Sequence, residues 1–522
     1  MQAHAAHLIV PSPQLQGNLF LPVCGSDFSD FLDQIEKLAR FAPEILTAIE
    51  RDLDRMAIGK KKMRRAQSRH DLEKTPEITG LQLEDSEVND YEFTLEEGRP
   101  RMPAYLVYVF VRIKGYLGGS VTSREAVTFI RESMSLYSFL RNRGYSLPAP
   151  NTILDNTRAV SNRTRELMLE KQVEFIQSEG LDDFQDMTFD STQVEANSAW
   201  PTDSGILTGL ISRAHKLGQK LDNFGLPNFS VWWTKQWLKK MRSLNLRINL
   251  MAGKPRLKNR NKKTRQHYRR LLDFGRQAAA HLDGELTRLE ETYRPYEFIP
   301  PRQRATLERL LNQIREDIED AGRVIAYAEE RVFEGKVGRS RDKVLSLADK
   351  SAAYIEKGGR EAVIGYKPQI ARSREGFIAG LIVREGNPAD KSELLPLFND
   401  VVGRTGVIPE VVSADDGYAF AASRNAILDR GVKIMSLSGS RGKRIIGEED
   451  WEREEYREAR RLRSAVESLM FVAKHCFEFG RVSRRGLEAV RAELLEKALA
   501  YNTYRITYLR RRQKQAFIKQ AA

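Results

Sequence analysis

The stretch 186–204 combines a short β-strand pattern with a dense run of polar residues. Met187, Phe189 and Val194 supply apolar, β-favouring positions, and Pro201 prevents a helix from crossing the segment. Asp190 therefore lies on a predicted strand. Taken alone, an Asp followed by Ser and Thr is also typical of a strand that ends in a side-chain-capped turn.

A second group of strands is predicted far downstream. Strands are predicted at 362–371, 376–383, 409–414 and 432–437, with helices at 392–402 and 421–428. With the early strand, this order predicts an α/β sheet. Asp415 and Asp416 follow one of these strands, at the carboxyl end where ligand sites form in open α/β sheets. The alternation of apolar positions does not choose between them, because Val411 and Val412 are both apolar.

Helical periodicity dominates the rest of the chain. In the N-terminal region, helices are predicted at 103–117, at 123–142 and from Asn151 onward, and short helices joined by a Gly-containing turn are compatible with a helix-turn-helix. Apolar residues then repeat at steps of three and four along 268–293 and again along 307–332. These seams predict an antiparallel helical hairpin that either packs on its neighbouring domain or serves as an arm for dimerisation or DNA bracing.

Composition narrows the class of partner. At 522 residues the chain exceeds what one hydrophobic core usually supports, so several domains are expected. With 85 Lys and Arg against 71 Asp and Glu, the net charge of +14 favours a polyanion such as nucleic acid. Cys24 and Cys476 have no neighbours at metal-ligand spacing, so no disulfide framework or zinc site is indicated. Without a signal-peptide or membrane-span pattern, we expect a cytoplasmic protein with no membrane partner.

The segment 189–207 closely resembles the first catalytic motif of DDE transposases of bacterial insertion sequences. Gly365-Tyr-Lys-Pro-Gln369, Gly386-Asn-Pro-Ala-Asp390 and Asp415-Asp-Gly-Tyr418 follow in the order of that family. The family pattern Asp-x-Gly-Tyr selects Asp415 over Asp416 as the second carboxylate.

A third segment carries the spacing Arg, three residues, Glu, six residues, Lys of the same signature. These residues are Arg463, Glu467 and Lys474, and a helix places them on one face, since Lys474 lies about 20° and Arg463 about 40° from Glu467. The family's tyrosine position is occupied by Arg460, and the nearest tyrosine, Tyr456, is displaced.

The resemblance implies catalysis with two Mg²⁺ ions, for which Mn²⁺ can substitute, held by three carboxylates. Hard cations of this kind favour carboxylate oxygen. The implied catalytic and metal-binding residues are Asp190, Asp415 and Glu467. The residues expected to contact DNA are Arg463 and Lys474 beside Glu467, Asn151 and Arg158 in the candidate helix-turn-helix, and Lys254, Arg260, Lys262, Lys263 and Arg265 in a basic run that is otherwise a solvated surface.

The predicted fold class is α/β, with a ribonuclease H-like mixed-sheet core, a long helical insertion that contains an antiparallel coiled-coil hairpin, and a mainly helical N-terminal DNA-binding region. The expected divisions are 1–180 for the N-terminal region, 181–205 for the first part of the core, 206–358 for the insertion, 359–485 for the second part of the core, and 486–522 for a C-terminal helix and basic tail.

We therefore expect a transposase that acts on double-stranded DNA, as a homodimer on that DNA. It would bind the ends of its mobile element, cleave the strand with Mg²⁺ and join the freed end to target DNA. Two alternatives stay open: a catalytically silent DNA-binding protein derived from a transposase, and a nuclease without strand transfer.

Overall fold

The computed structural model describes residues 26–69, 101–118, 121–198, 200–224, 232–253, 259–293, 299, 301–336, 343–357 and 361–521. These residues divide into two compact units. The sheet unit takes its residues from Met1–Ala57, Leu83–Asn197 and Ile355–Ala522, and the helical unit from Ile58–Gln82 and Ser198–Tyr354. Most of the helical unit is therefore inserted between two parts of the sheet unit.

In the described part of the chain, seven helices precede the first strand. They are α1 Ser26–Phe41, α2 Glu44–Arg69, α3 Ala104–Tyr116, α4 Ser123–Glu132, α5 Met134–Arg141, α6 Pro150–Ala159 and α7 Asn162–Ser178. The single helix predicted at 123–142 is in fact two helices. Ser133 separates them, because its backbone is extended and its side chain accepts a hydrogen bond from the Leu136 N–H at 3.3 Å to cap α5.

The remaining elements follow in chain order. They are β1 Asp186–Ser191, β2 Val194–Glu195, α8 Asp203–Leu221, α9 Trp232–Ala252, α10 Arg260–Tyr293, α11 Pro301–Glu329, β3 Ala353–Ile355, β4 Val363–Tyr366, β5 Gln369–Ser373, β6 Ile378–Ile382, α12 Asp390–Thr405, β7 Val411–Ala414, α13 Ala421–Leu428, β8 Ile434–Leu437, α14 Gly439–Ile446, α15 Glu448–Glu452, α16 Glu454–Cys476 and α17 Leu487–Ala521.

The main sheet has five strands in the order β6-β5-β1-β7-β8. Strands β5 and β6 are antiparallel to their neighbours, whereas β1, β7 and β8 run parallel. This mixed sheet is consistent with the ribonuclease H-like core that the sequence predicts. The strand predicted at 362–371 is two strands in different sheets, since β4 joins β2 and β3 in a smaller sheet, and Pro368 between them has no N–H to donate.

The C-terminal helix α17 packs against α1, α3 and α7, which joins the N-terminal helices to the sheet in one unit. Charged side chains are buried in this region in pairs. Arg165 Nη2 lies 2.7 Å from Glu496 Oε1, and Lys497 Nζ lies 2.9 Å from Glu493 Oε1. Because each of these four charges has an opposite partner, the energetic cost of removing it from water is offset.

The helical unit is built on α8, α9, α10 and α11. Helix α11 packs chiefly against α8, and α10 packs chiefly against α9. The predicted apolar seams are buried in this cluster of four helices, so α10 and α11 do not form an isolated two-helix hairpin. The two ends of the inserted segment Ser198–Tyr354 meet, since the rings of Trp200 and Tyr354 lie 6.4 Å apart between centroids. Among the described residues, no helix is long and apolar enough to cross a membrane.

Candidate active site

Asp190 and Asp415 lie at the carboxyl ends of adjacent parallel strands. Phe189 on β1 is paired with Ala414 on β7, so the next residue on each strand is one of the two acids. Phe189 and Ala414 are buried, and the Thr188 and Ser413 hydroxyls are hydrogen-bonded at 3.1 Å across the same strand pair. Neighbouring strands are about 4.8 Å apart. The pairing therefore holds two carboxylates side by side at one edge of the sheet.

The surroundings of Asp415 raise its pKa. Burial is the largest cause, and the negative charges of Asp190 and Asp390 act in the same direction. The positive charges of Lys357 and Arg463 lower this pKa and so oppose the shift. Several negative charges thus converge at this sheet edge and favour a bound cation.

Lys357 already brings a cation to this position. Its Nζ lies 2.7 Å from Asp190 Oδ1 and 2.9 Å from Ser191 Oγ, and it also donates to the Ser191 carbonyl oxygen. Three oxygens therefore surround one ammonium group. The Lys357 and Asp190 side chains are only 26% and 15% exposed, so water screens their attraction less than at an open surface.

Asp415 and Asp416 have different environments although they are adjacent. The Asp416 Oδ1 accepts hydrogen bonds from the N–H groups of Arg441 and Gly442, at 2.8 and 3.0 Å, in the first turn of α14. Asp415 instead accepts from the Gly417 N–H at 2.9 Å and experiences the charge of Asp190. This geometry gives Asp416 a helix-capping contact and supports Asp415 as the partner of Asp190.

Arg463, Glu467 and Lys474 all lie on α16, which packs against β1, β7 and β8. Val466 and Leu469 are buried in that contact, whereas the Glu467 side chain is exposed. Among the described residues, no three His, Cys, Asp or Glu side chains are grouped so that they could hold a metal ion. The structure therefore brings Asp190 and Asp415 together but does not group Glu467 with them, and its role as the third acid remains a prediction.

Three further residues at or near α16 have distinct environments. Helix α16 ends at Cys476, and Glu478 has a positive φ of 53° with its side chain buried. Tyr456 is also buried, and its hydroxyl accepts a hydrogen bond from Arg424 Nη2 at 3.4 Å. Arg460, at the family's tyrosine position, stacks on the Trp451 ring at 4.0 Å.

Polar residues that the hydrophobic pattern did not single out surround the two acids. Asp390, the first residue of α12, accepts from Gln369 Nε2 at 3.1 Å and from Lys367 Nζ at 2.9 Å. The buried Tyr418 hydroxyl donates to Gln369 Oε1, and burial followed by the nearby carboxylates raises its pKa. Most of these residues lie in the family-like segments 365–369 and 386–390, so the sequence resemblance could point to them. Lys357 lies in no such segment, and no sequence pattern indicated its role.

The predicted DNA-binding residues lie on separate elements. Asn151 and Arg158 are exposed on α6 in the sheet unit. Near the start of α10, in the helical unit, Arg260 is half-buried and three other cations are exposed: Lys262, Lys263 and Arg265. Lys254 lies outside the described residues.

The residues at the sheet edge suit a divalent cation. Mg²⁺ in proteins is commonly held by one or two carboxylates, with waters and substrate phosphates completing its coordination. Asp190 and Asp415 supply two carboxylates, and the oxygens around Lys357 Nζ show that a cation can be held against Asp190. The donor chemistry therefore fits the ion that the resemblance implies.

Comparison with known proteins agrees with this arrangement. Residues 335–503 match the family described as the transposase DDE domain. The match includes Asp415 and Glu467 but begins after Asp190, whose assignment rests on its pairing with the matched strand β7. No curated protein and no solved structure shows significant similarity to the chain. The matched residues and the paired carboxylates together support a DDE transposase.

Proposed function

We propose that this transposase binds the ends of a mobile DNA element, cleaves DNA with Mg²⁺ and transfers the freed 3′-hydroxyl to target DNA. One observation carries the proposal: Asp190 and Asp415 lie abreast on β1 and β7 in a chain with a transposase DDE domain. The protein would act in the cytoplasm, as a homodimer on double-stranded DNA.

Each acid has a defined role in this proposal. Asp190 and Asp415 hold the metal from adjacent strands, and Glu467 completes the set from α16. A pair of Mg²⁺ ions, when bound, supplies a nucleophile of lowered pKa and stabilises the leaving oxygen of the cleaved strand. Arg463 and Lys474 contact the phosphates of the strand to be cut, because α16 carries them on the same element as Glu467.

Lys357 keeps the site stable before DNA and metal arrive. Two carboxylates at adjacent strand ends repel each other, and this repulsion contributes to the raised pKa of Asp415. The Lys357 ammonium offsets the charge of Asp190 at 2.7 Å. The protein thus folds with the acids already side by side.

The proposal is tested with Asp190→Asn and Asp415→Asn in a cleavage assay on end-labelled DNA that carries the element's terminal repeats. Each substitution keeps the side-chain shape but removes the charge that holds Mg²⁺, so cleavage should fall below detection while gel-shift binding survives. Asp416→Asn is the matched control, since its remaining amide oxygen can still accept from α14. Undiminished cleavage by either Asp190→Asn or Asp415→Asn would contradict the mechanism.

The third acid needs a separate comparison. We expect Glu467→Gln to abolish cleavage, and Glu458→Gln and Glu478→Gln to leave it largely intact. Asp390→Asn belongs in the same series, because Asp390 is the additional carboxylate that acts on the pKa of Asp415. If Asp390→Asn abolishes cleavage and Glu467→Gln does not, the assignment of the third acid is wrong.

Products of the same assay separate the alternatives. A transposase joins a labelled 3′-hydroxyl end to a second duplex, whereas a nuclease releases cut ends without joined product. A silent DNA-binding descendant shifts the DNA in a gel but produces neither species with Mg²⁺ or Mn²⁺.

A further inference from the structure

The excess positive charge of this protein is concentrated in one segment. Residues 223–272 contain 14 Lys and Arg and no Asp or Glu, so the remaining chain has 71 residues of each sign. The net charge of the whole protein, +14, therefore equals the charge of this segment. The described part of the segment consists mainly of α9 and the first turns of α10.

Helices α9 and α10 are antiparallel neighbours. Thr264 Oγ1 on α10 lies 3.8 Å from Met251 Sδ on α9, and Lys240 Nζ lies 5.0 Å from the centre of the Phe274 ring. Residue numbers thus fall along one helix as they rise along the other. Helix α9 buries an apolar stripe: Leu238, Met241, Leu244 and Ile248.

The cations occupy the opposite, exposed faces of these helices. Ten are exposed: Lys235, Lys239, Lys240, Arg242 and Arg247 on α9, and Lys262, Lys263, Arg265, Arg269 and Arg270 on α10. Among the described residues, no Asp or Glu forms an ion pair with any of the ten. Their positive charge also affects His267. Burial is the largest cause that lowers the pKa of this imidazole, and the charges of Arg247, Arg270 and Lys263 lower it further.

Several cations elsewhere in the helical unit are paired. Arg288 Nη2 lies 2.6 Å from Glu285 Oε2, Arg323 Nη1 lies 3.4 Å from Asp320 Oδ1, and Arg315 contacts Glu290. In one region of the helical unit, arginines therefore have acidic partners. In another, the exposed cations of α9 and α10 have none among the described residues. Such a surface is available to an external polyanion.

We propose that the exposed cations of α9 and α10 form one binding surface, the two-helix basic surface, for the phosphate backbone of double-stranded DNA. This inference rests on the proposed function for the choice of DNA as the polyanion. In this proposal, α9 contributes as much to DNA binding as the basic run at the start of α10, although α9 carries no family signature.

The dimensions of the surface fit a duplex. From Lys235 to Arg247 the cations extend about 18 Å along α9 at about 1.5 Å per residue, and packed helices are about 8–10 Å apart. Duplex DNA carries one charge per about 1.7 Å of its axis, or about ten charges over that length. Since Lys and Arg in this arrangement meet phosphates rather than base edges, the contact is independent of sequence.

An anionic membrane is the competing polyanion, because basic amphipathic helices can lie on lipid surfaces. Such a helix needs a wide apolar face to bury in lipid. The main apolar stripe of α9 is already buried in the helical unit, and among the side chains that the structure describes on this helix, the exposed large apolar residues are Leu246 and Leu250. The surface therefore fits DNA better than lipid.

The test compares two triple variants of the full chain that remove the same net charge. The first is Lys235→Gln, Lys239→Gln and Arg247→Gln on the two-helix basic surface. The matched control is Arg288→Gln, Arg315→Gln and Arg323→Gln, whose side chains are ion-paired within the helical unit. Lys240 and Arg242 are kept because they also contact Phe274 and Ser212. Circular dichroism checks that both variants are folded.

Binding to a short duplex of unrelated sequence is then measured as salt is raised. In the first variant, the slope of log affinity against log salt should fall by about 0.9 for each DNA phosphate that the protein no longer neutralises. The control should keep the wild-type slope. Equal slopes for the two variants would overturn the inference. Weaker binding of the first variant to phosphatidylserine vesicles, with an unchanged DNA slope, would overturn it in favour of a membrane.

Failure of this inference is distinguishable from failure of the proposed function. Asp190→Asn should leave the salt slope unchanged, because Asp190 lies in the sheet unit. If the slope behaves as expected but the wild-type protein never cleaves DNA, the proposed catalysis is wrong and the surface stands. If DNA is cleaved but the first variant keeps the wild-type slope, the surface is wrong and the catalysis stands.

Discussion

The interior of the sheet unit and the exposed face of α9 in the helical unit differ in how their charges are balanced. The sheet unit buries several ionic side chains in opposite pairs, as Arg165 with Glu496 and Lys497 with Glu493. The helical unit exposes the cations of α9 without acidic partners among the described residues. A buried charge without a partner is costly, whereas an exposed one is solvated by water. Pairing therefore marks charges that support the fold, and exposure without pairing marks charges available to a ligand.

The largest expected effect comes from breaking a buried pair. Glu496→Gln leaves Arg165 and Arg484 without their carboxylate and should lower the free energy of unfolding by about 3–5 kcal/mol. Glu410→Gln, which breaks an exposed pair with Lys433, should cost about 1 kcal/mol or less. Urea denaturation of both variants measures the contrast, and equal decreases would remove the distinction between buried and exposed pairs.

Acid should reproduce the effect of Glu496→Gln. Burial alone would raise the pKa of Glu496, but the charges of Arg484, Arg165 and Lys114 outweigh it and lower that pKa to about 2 from 4.5. Because the folded-state pKa is depressed, the stabilisation is present above about pH 4.5 and is lost as pH falls toward 2. The difference in unfolding free energy between wild type and variant should shrink over this window. A difference that is constant from pH 6 to 3 would contradict the expectation.

A smaller effect is expected at the candidate active site. Lys357→Met removes the cation beside Asp190 and should lower the unfolding free energy in metal-free buffer by about 2 kcal/mol. Mn²⁺ should then raise the unfolding temperature of this variant more than that of wild type, since it restores a positive charge between the acids. Lys357→Arg, which keeps the charge, is the control. If Mn²⁺ raised the unfolding temperature of all three proteins equally, Lys357 would have no influence on metal binding and the expectation would be wrong.

The smallest effect on stability is expected for the triple substitution on the two-helix basic surface, which should weaken DNA binding. The triple substitution at Lys235, Lys239 and Arg247 should change the unfolding free energy by no more than about 0.5 kcal/mol per site, because these side chains are exposed and unpaired among the described residues. Relief of like-charge repulsion makes a slight gain the expected sign. A large decrease of stability in urea denaturation would show that these cations support the fold.

Local patterns predicted most of the sheet that positions the site. The apolar positions Met187 and Phe189 indicated β1, and the strand order of the sheet is consistent with the predicted core. The different environments of Asp415 and Asp416 depend instead on where the N–H groups of α14 lie, which no local pattern of apolar residues contains. The resemblance to a family was needed to select Asp415.

Other features depend on contacts between distant residues and were not predictable from periodicity. Lys357 lies in a stretch without a regular apolar pattern, yet it contacts Asp190, which is 167 residues away. The apolar seams of α10 and α11 correctly indicated helices. They could not show that α8 and α9 would provide much of the packing, because a periodic seam specifies a buried face but not its partner.

The meeting of Trp200 and Tyr354 bears on the order in which the chain folds. Strand β1 must pair with β5 across a long intervening segment, as Ser191 does with Gln369. If the inserted segment folds first, its two ends are already together, and the loop to be closed shrinks from the whole insertion to its short connections. The entropy of closure then falls by about 2 kcal/mol. Formation of the β1–β5 pair should therefore be faster when the insertion is folded.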